Sequence, residues 1–390
     1  MKFASALAIA FGLTVVSANP LVEKRASTSD KATLGYATLS GGTTGGGSAS
    51  PVTVTSLSAL KSAVSGNTAK VVTVSGSITG NEVVKVGSNT SILGKSGATL
   101  TGVGLRVIDV SNVIIRNLKI NKVLADAGDH IGVQAANRIW IDSVELWSDQ
   151  DHDKDYYDGL LDITHGVYAA SVTNSYLHDH WKGSLVGHSD SNESEDKAIQ
   201  VTYAFNKWQN LNSRTPSFRF GHGHIFNNYF VSNNDGINTR VGAELLVQNN
   251  VFESVKKPLY STDNGYANAS GNDFGLEHSS SASITTTRLA GKDDFTRCNG
   301  SIRSCSNCFR ICFDPMSGFC PSTSHSADWY GMEYRASWYA IVGMIRDVFR
   351  QSILLRVQKK LAASCFRFST CSQKLYAMVV FPVPAMPFIQ

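Results

Sequence analysis

An all-β solenoid of parallel coils, preceded by one short helix, is the fold predicted for this 390-residue chain. Three observations predict it. Short strand-like runs bounded by Gly, Asn or Ser begin at Val71 and recur without helical patterns between them. A polar residue marks successive runs at Asn117, Asp142, Asn174, Asn206, Asn228 and Asn250, in steps of 25, 32, 32, 22 and 22 residues. The runs are apolar enough to be covered on both faces, as stacked parallel strands are.

The elements follow in order. Lys2, the apolar run Phe3 to Val16 and the small residues Ser17 and Ala18 read as a secretory signal peptide over 1–18. The run is shorter than the ~20 residues needed to span a bilayer, so a membrane anchor is not expected. Glu23-Lys24-Arg25 ends residues 19–25 as a propeptide, with a mature start at Ala26. Residues 26 to 50 are rich in Gly, Ser and Thr; with no Gly-Lys-Ser/Thr following, they read as a surface loop rather than a phosphate cradle. Thr55 to Val64 has apolar positions at helical spacing and Ser56 as N-cap. Strands are expected at Val71–Gly76, Ser91–Gly94 and Val107–Val110, and then once per repeat. The recurrent Asn suits a sharp turn because it tolerates the left-handed conformation. Stacked amides can also bond between coils, which ordinary turn asparagines of a β-sandwich would not do. Both long steps fall between Asp142 and Asn206, and solenoids carry their insertions on the binding face.

Charge and cysteine are lopsided. From Leu276 onward there are 13 Lys or Arg against 7 Asp or Glu, a net of +6 in a chain whose total is +4. The rest is mildly acidic, which excludes nucleic-acid binding through bulk charge. Cys298, Cys305, Cys308, Cys312, Cys320, Cys365 and Cys371 all lie in this tail. An odd count with one Cys-x-x-Cys makes neither a disulfide framework nor a zinc site. The coils must therefore be held by burial and backbone ladders, as a monomer.

The chemistry concentrates in the long steps. Six aspartates stand within 14 residues from Asp149 to Asp162. Asp158 and Asp162 are four apart at a strand entry, so both can face one side, and an adjacent coil would bring Asp129 beside them. Hard oxygen donors without His or Cys suit calcium better than zinc. Lys182 lies one coil further on, and Arg214 and Arg219 stand five apart across Pro216. Three cations beside a carboxylate cluster suit an anionic sugar.

Four stretches in order, Trp140-Ile-Asp142, Asp158-Gly-Leu-Leu-Asp162, His178-Asp-His-Trp-Lys182 and Arg214-x-Pro216-x-x-Arg219, resemble the signature series of the family 1 pectate lyases. Gly35-Tyr36-Ala37 and Gly41-Gly-Thr-Thr-Gly-Gly46 resemble their N-terminal segment, so the resemblance covers about Gly35 to Gly275. It implies a right-handed parallel β-helix over 26–275 and endo-type, calcium-assisted β-elimination on polygalacturonate by a secreted enzyme. By the same resemblance Asp129, Asp158 and Asp162 correspond to Ca2+ ligands, Lys182 and Arg219 to substrate-carboxylate contacts, and Arg214 to the catalytic base. A guanidinium is ordinarily protonated, and the residues alone would not have selected one as base. Some relatives carry a further Asp where this chain has Ala127; here Asp126 is adjacent.

Three other readings stand beside this one. A pectin lyase acting on methyl-esterified chains would need neither the carboxylate trio nor Lys182. A non-catalytic polysaccharide-binding solenoid would not need Arg214. Hydrolysis by Asp158 and Asp162 would require carboxylates ~6.5–9.5 Å apart. Asn89, Asn192, Asn268 and Asn299 begin N-x-Ser/Thr acceptors of a glycoprotein. Residues 276–390 depart from the family pattern and read as a retained intron or frame change in place of the native C-terminus, against a partner-binding extension. Ala336 to Leu361 has the spacing of an amphipathic helix.

Overall fold

The computed structural model describes residues 27–275. The signal segment, the propeptide site, the cysteine-rich tail, its amphipathic stretch and Asn299 lie outside these residues. Within them the chain is a parallel β-helix with two sheets, of ten and fourteen strands. From Ser111 to Thr262 each coil contributes one strand to the first sheet and two to the second. The second bends at the long strand Thr99–Ile108, which pairs with Lys119–Asn121 at one end and Ile131–Gln134 at the other. The helix forms at Leu57–Ala63, and the Ser56 side chain caps it by accepting the Ala59 N–H at 3.3 Å.

Inward side chains stack in register from coil to coil. One column runs Leu100, Ile120, Leu146, Leu177, Trp208, Phe230 and Phe252. It turns from aliphatic to aromatic, and rings Trp208–Phe230 and Phe230–Phe252 are stacked at 5.7 and 4.6 Å. A 22-residue coil step keeps like side chains superposed, so their areas are buried against each other and none needs a partner from another layer.

The polar repeat serves two separate roles. Left-handed backbone falls at Asn117, Ser143, Asn174, Phe205, Asn227 and Asn249. The amide ladder falls one residue later: Asn206 donates to Asn228, Asn228 to Asn250 and Asn250 to Asn272, at 2.9–3.0 Å. Asn117 and Asn174 therefore turn the chain, whereas Asn206, Asn228 and Asn250 bridge coils. Asp142 does neither. It is buried, paired with Arg116 at 2.9 Å, and accepts from Thr173 and Asn174.

The glycine-rich N-terminal surface loop is packed onto the sheet as a cover. Tyr36, Ala37 and Thr43 are fully buried, and the Tyr36 and Ala37 N–H groups donate to Thr202 and Ser171 on the outer face of the ten-stranded sheet. At Gly45 (φ +54°) a Cβ would stand 2.2 Å from Ser91 Oγ, and only glycine permits that approach.

Burial also sets an acid limit. His224 is 2 % exposed, and burial pushes its imidazole down to about 4 against a hydrogen bond with Gln248. The folded value lies below the unfolded one, near 6.5. The unfolded state therefore takes up the proton first, and stability is lost as pH falls from about 6.5 toward 4. Between pH 7 and 5 this side chain should remove about 2 kcal/mol. Unfolding free energies from urea titration at the two pH values should draw together by that amount in His224→Gln; an unaltered gap would refute the assignment.

Candidate active site

Two insertions, residues 148–160 and 187–198, flank a ladder built from Ile131–Gln134, Leu161–Thr164, Leu185–Val186, Ser217–Arg219 and Ile237–Arg240. Register decides what meets there. Asp162 lies opposite Gly132, three residues past Asp129 on the neighbouring coil. The Gly159 N–H accordingly donates to Asp129 Oδ1 at 3.0 Å, and Asp162 Oδ1 accepts from the Leu185 N–H at 3.0 Å. A Cβ at Gly159 would stand 2.7 Å from Asp162 Oδ1 and 2.9 Å from Asp129 Oδ1. Glycine thus leaves a hollow that two carboxylates share.

Asp158 completes the trio at longer range. Its Oδ1 lies 3.2 Å from Lys182 Nζ, while Asp155 on the same insertion lies at 3.5 Å. Among the described residues no three acidic or histidine side chains form a ready-made metal cage. The donor set still fits a hard cation: two convergent carboxylate oxygens over the hollow at Gly159, and a third carboxylate on Asp158, the residue before it.

The electrostatics agree with that fit. Burial, then the facing Asp162 and Asp158, raise the Asp129 carboxyl well above the usual range, against the Gly159 N–H and Arg106. Burial raises Asp162 as well, and Arg214 opposes it. Like charges held together away from water favour either a proton or a cation. Arg214 Nη1 stands 3.8 Å from Asp162 Oδ2, and Arg214 has left-handed backbone (φ +59°). Arg214 and Arg219 open onto a cleft of about 530 Å³, also lined by Asp235, Asn238, Arg240 and Tyr260. Asp129, Asp162 and Lys182 do not line this cleft; Arg214 does, and it also contacts Asp162.

Two histidines hold the site without titrating in it. His180 is fully buried, pushed down to about 3 by burial, and its Nδ1 accepts the Lys182 N–H at 3.0 Å. His130 is pushed down to about 4 by burial despite ring nitrogens 3.2 Å from the Gly159 carbonyl and 2.9 Å from that of Trp147. Their rings meet edge to face at 5.6 Å, so the Gly159 turn and Lys182 are fixed through one contact.

Sequence reasoning missed three charged groups. Arg106 packs against Gly128 and Gly132 beside Asp129, where a Cβ at either glycine would stand within 3 Å of its guanidinium. Arg240 lies opposite Arg219 on the next coil; counting one coil on from Arg219 would have found it. Asp190 bridges those two arginines, and no local pattern announces it. Asp126 is exposed on the 3-10 turn Ala125–Ala127, while Ala127 is buried.

A family model described as Pectate lyase matches residues 1–320. Pectate lyase A of Aspergillus niger is 55 % identical over 290 residues, covering 73 % of this chain and 90 % of that protein. Pectate lyase A of Emericella nidulans is 59 % identical over 260 residues, covering 66 % and 79 %. Among solved structures, a pectate lyase from Bacillus sp. N165 in complex with trigalacturonate superposes with a TM-score of 0.60 at 29 % identity, covering 71 % of this chain and 95 % of that one. Pectate lyase II from Xanthomonas campestris superposes with a TM-score of 0.52 at 28 % identity, covering 63 % and 84 %.

Proposed function

The chain belongs to the pectate lyase family and is a pectate lyase, and from that premise we propose that it cleaves α-1,4-linked polygalacturonate internally, by calcium-assisted β-elimination. The observation that carries the calcium reading is the hollow at Gly159, where Asp129 Oδ1 and Asp162 Oδ1 converge. Asp129 and Asp162 would hold Ca2+, with Asp158 joining once it leaves Lys182. When bound there, calcium supplies Lewis acidity toward a uronate carboxylate.

The chain's own residues do the remaining work. Lys182, released from Asp158, and Arg219 bind the uronate carboxylate and stabilise the negative charge that builds on it as the C5 proton leaves. Arg214, having first given one proton to solvent, takes up the C5 proton as a neutral guanidine and returns to guanidinium. The C5–H electrons form the C4=C5 double bond, the C4–O bond breaks, and the departing glycosidic oxygen takes a proton from solvent. Arg214 both contacts Asp162 and lines the cleft, which supports its reading as a base acting on a sugar that spans the two.

The test is turnover of polygalacturonate, followed by the ultraviolet absorbance of the unsaturated product with and without a chelator. Product is expected only with calcium present, and solution viscosity should fall ahead of product release. Activity indifferent to chelation would overturn the metal reading. New reducing ends without absorbance would overturn elimination. Secretion rests on residues 1–25, and the mature protein should begin at Ala26. For a glycan, Asn268 is an exposed acceptor, whereas the Asn89 amide is already bonded to Asn67 and Asn112.

A further inference from the structure

Arg219 and Arg240 come from adjacent coils, register with each other and line the cleft. Both point at one carboxylate. Asp190 Oδ1 accepts from Arg219 Nε, and both Asp190 oxygens lie 3.1 Å from Arg240 Nη2. The three side chains differ sharply in burial: Arg219 is 14 % exposed and Arg240 24 %, but Asp190 is 59 % exposed. The arginines are set into the cleft wall, while the aspartate reaches onto them from the insertion 187–198. Arg219 has a second hold on the Gly187 carbonyl at 3.3 Å, and Arg240 a second pairing with Asp263 at 3.6 Å. Neither guanidinium therefore needs Asp190 to keep its place.

We propose that Asp190 is a stand-in for a substrate carboxylate, occupying Arg219 and Arg240 in the sugar-free protein and yielding them to an incoming uronate. This rests on the reading of Arg219 as a uronate contact. A single carboxylate bridging two guanidiniums has the charge and fork geometry of the uronate it would exchange with. Its exposure makes the exchange cheap, because a mostly solvated aspartate swings back into water with little loss. Binding is then an ion exchange rather than the pairing of bare charges. Asp190 weakens binding of the polyanion and makes it less sensitive to salt than the local cations alone would.

The alternative role, aligning the two arginines, has the opposite signature, so kinetics separate them. KM and kcat on polygalacturonate are measured at saturating calcium, at low and high NaCl, for the wild-type chain, Asp190→Asn and Arg219→Gln. Asp190→Asn should lower KM about three- to tenfold, from the few-fold worth of each exposed pair. Its kcat should hold within about twofold, and its KM should climb more steeply with salt than that of the wild type. A KM that is unchanged or raised in Asp190→Asn, with KM raised in Arg219→Gln, overturns the stand-in role alone. An unchanged KM in Arg219→Gln overturns the uronate contact and the proposal with it.

Discussion

Replacing Arg214 with asparagine is expected to lower kcat on polygalacturonate by about 10²–10⁴, the usual worth of a positioned acid–base group. KM should move little, because Lys182 and Arg219 are left to bind the uronate. Asparagine is the informative choice: position 214 has φ +59°, which asparagine tolerates better than alanine or a branched residue. Loss of activity would then reflect the missing guanidinium rather than backbone strain. Its ion pair with Asp162, at 3.8 Å, is long and part-exposed, so denaturant midpoints should stay close to wild type. A loss under tenfold would remove Arg214 from the base role.

Gly159→Ala tests the cation site from the other side. The added methyl would stand within 3 Å of both Asp129 Oδ1 and Asp162 Oδ1, in the space a cation would take. Gly159 has no positive φ, so alanine carries no backbone penalty there. The calcium concentration for half-maximal activity should rise about 10–100-fold, the range seen when a ligand's support is disturbed. Calorimetric calcium titration of the sugar-free protein should show the same shift. An unchanged affinity would place the cation elsewhere.

Much of this was legible in the linear order of residues, and the errors are informative. The six-member polar repeat found the solenoid, but it merged two adjacent positions. Asn117 and Asn174 turn the backbone, whereas Asn206, Asn228 and Asn250 cross-bond the coils. Both roles select Asn, one for its conformation and the other for its amide, and composition cannot tell them apart. How closely the glycine-rich loop after Lys31 is pressed onto the sheet is hidden in the sequence for a related reason. Glycine serves a mobile loop and a closely pressed one equally, and only the sheet beneath Gly45 shows which applies.

Strand period, insertion placement and the order Asp129, Asp158, Asp162, Lys182, Arg214 and Arg219 were determined by the sequence alone, because in a solenoid a fixed step converts position along the chain into position across a face. Only the tertiary structure decided which of those groups touch. It set Asp129 and Asp162 across Gly159, turned Asp158 onto Lys182, and brought Asp190 over Arg219 and Arg240. These pairings depend on insertions folding back over the coils, and their geometry follows from burial and charge in three dimensions rather than from any period in the chain.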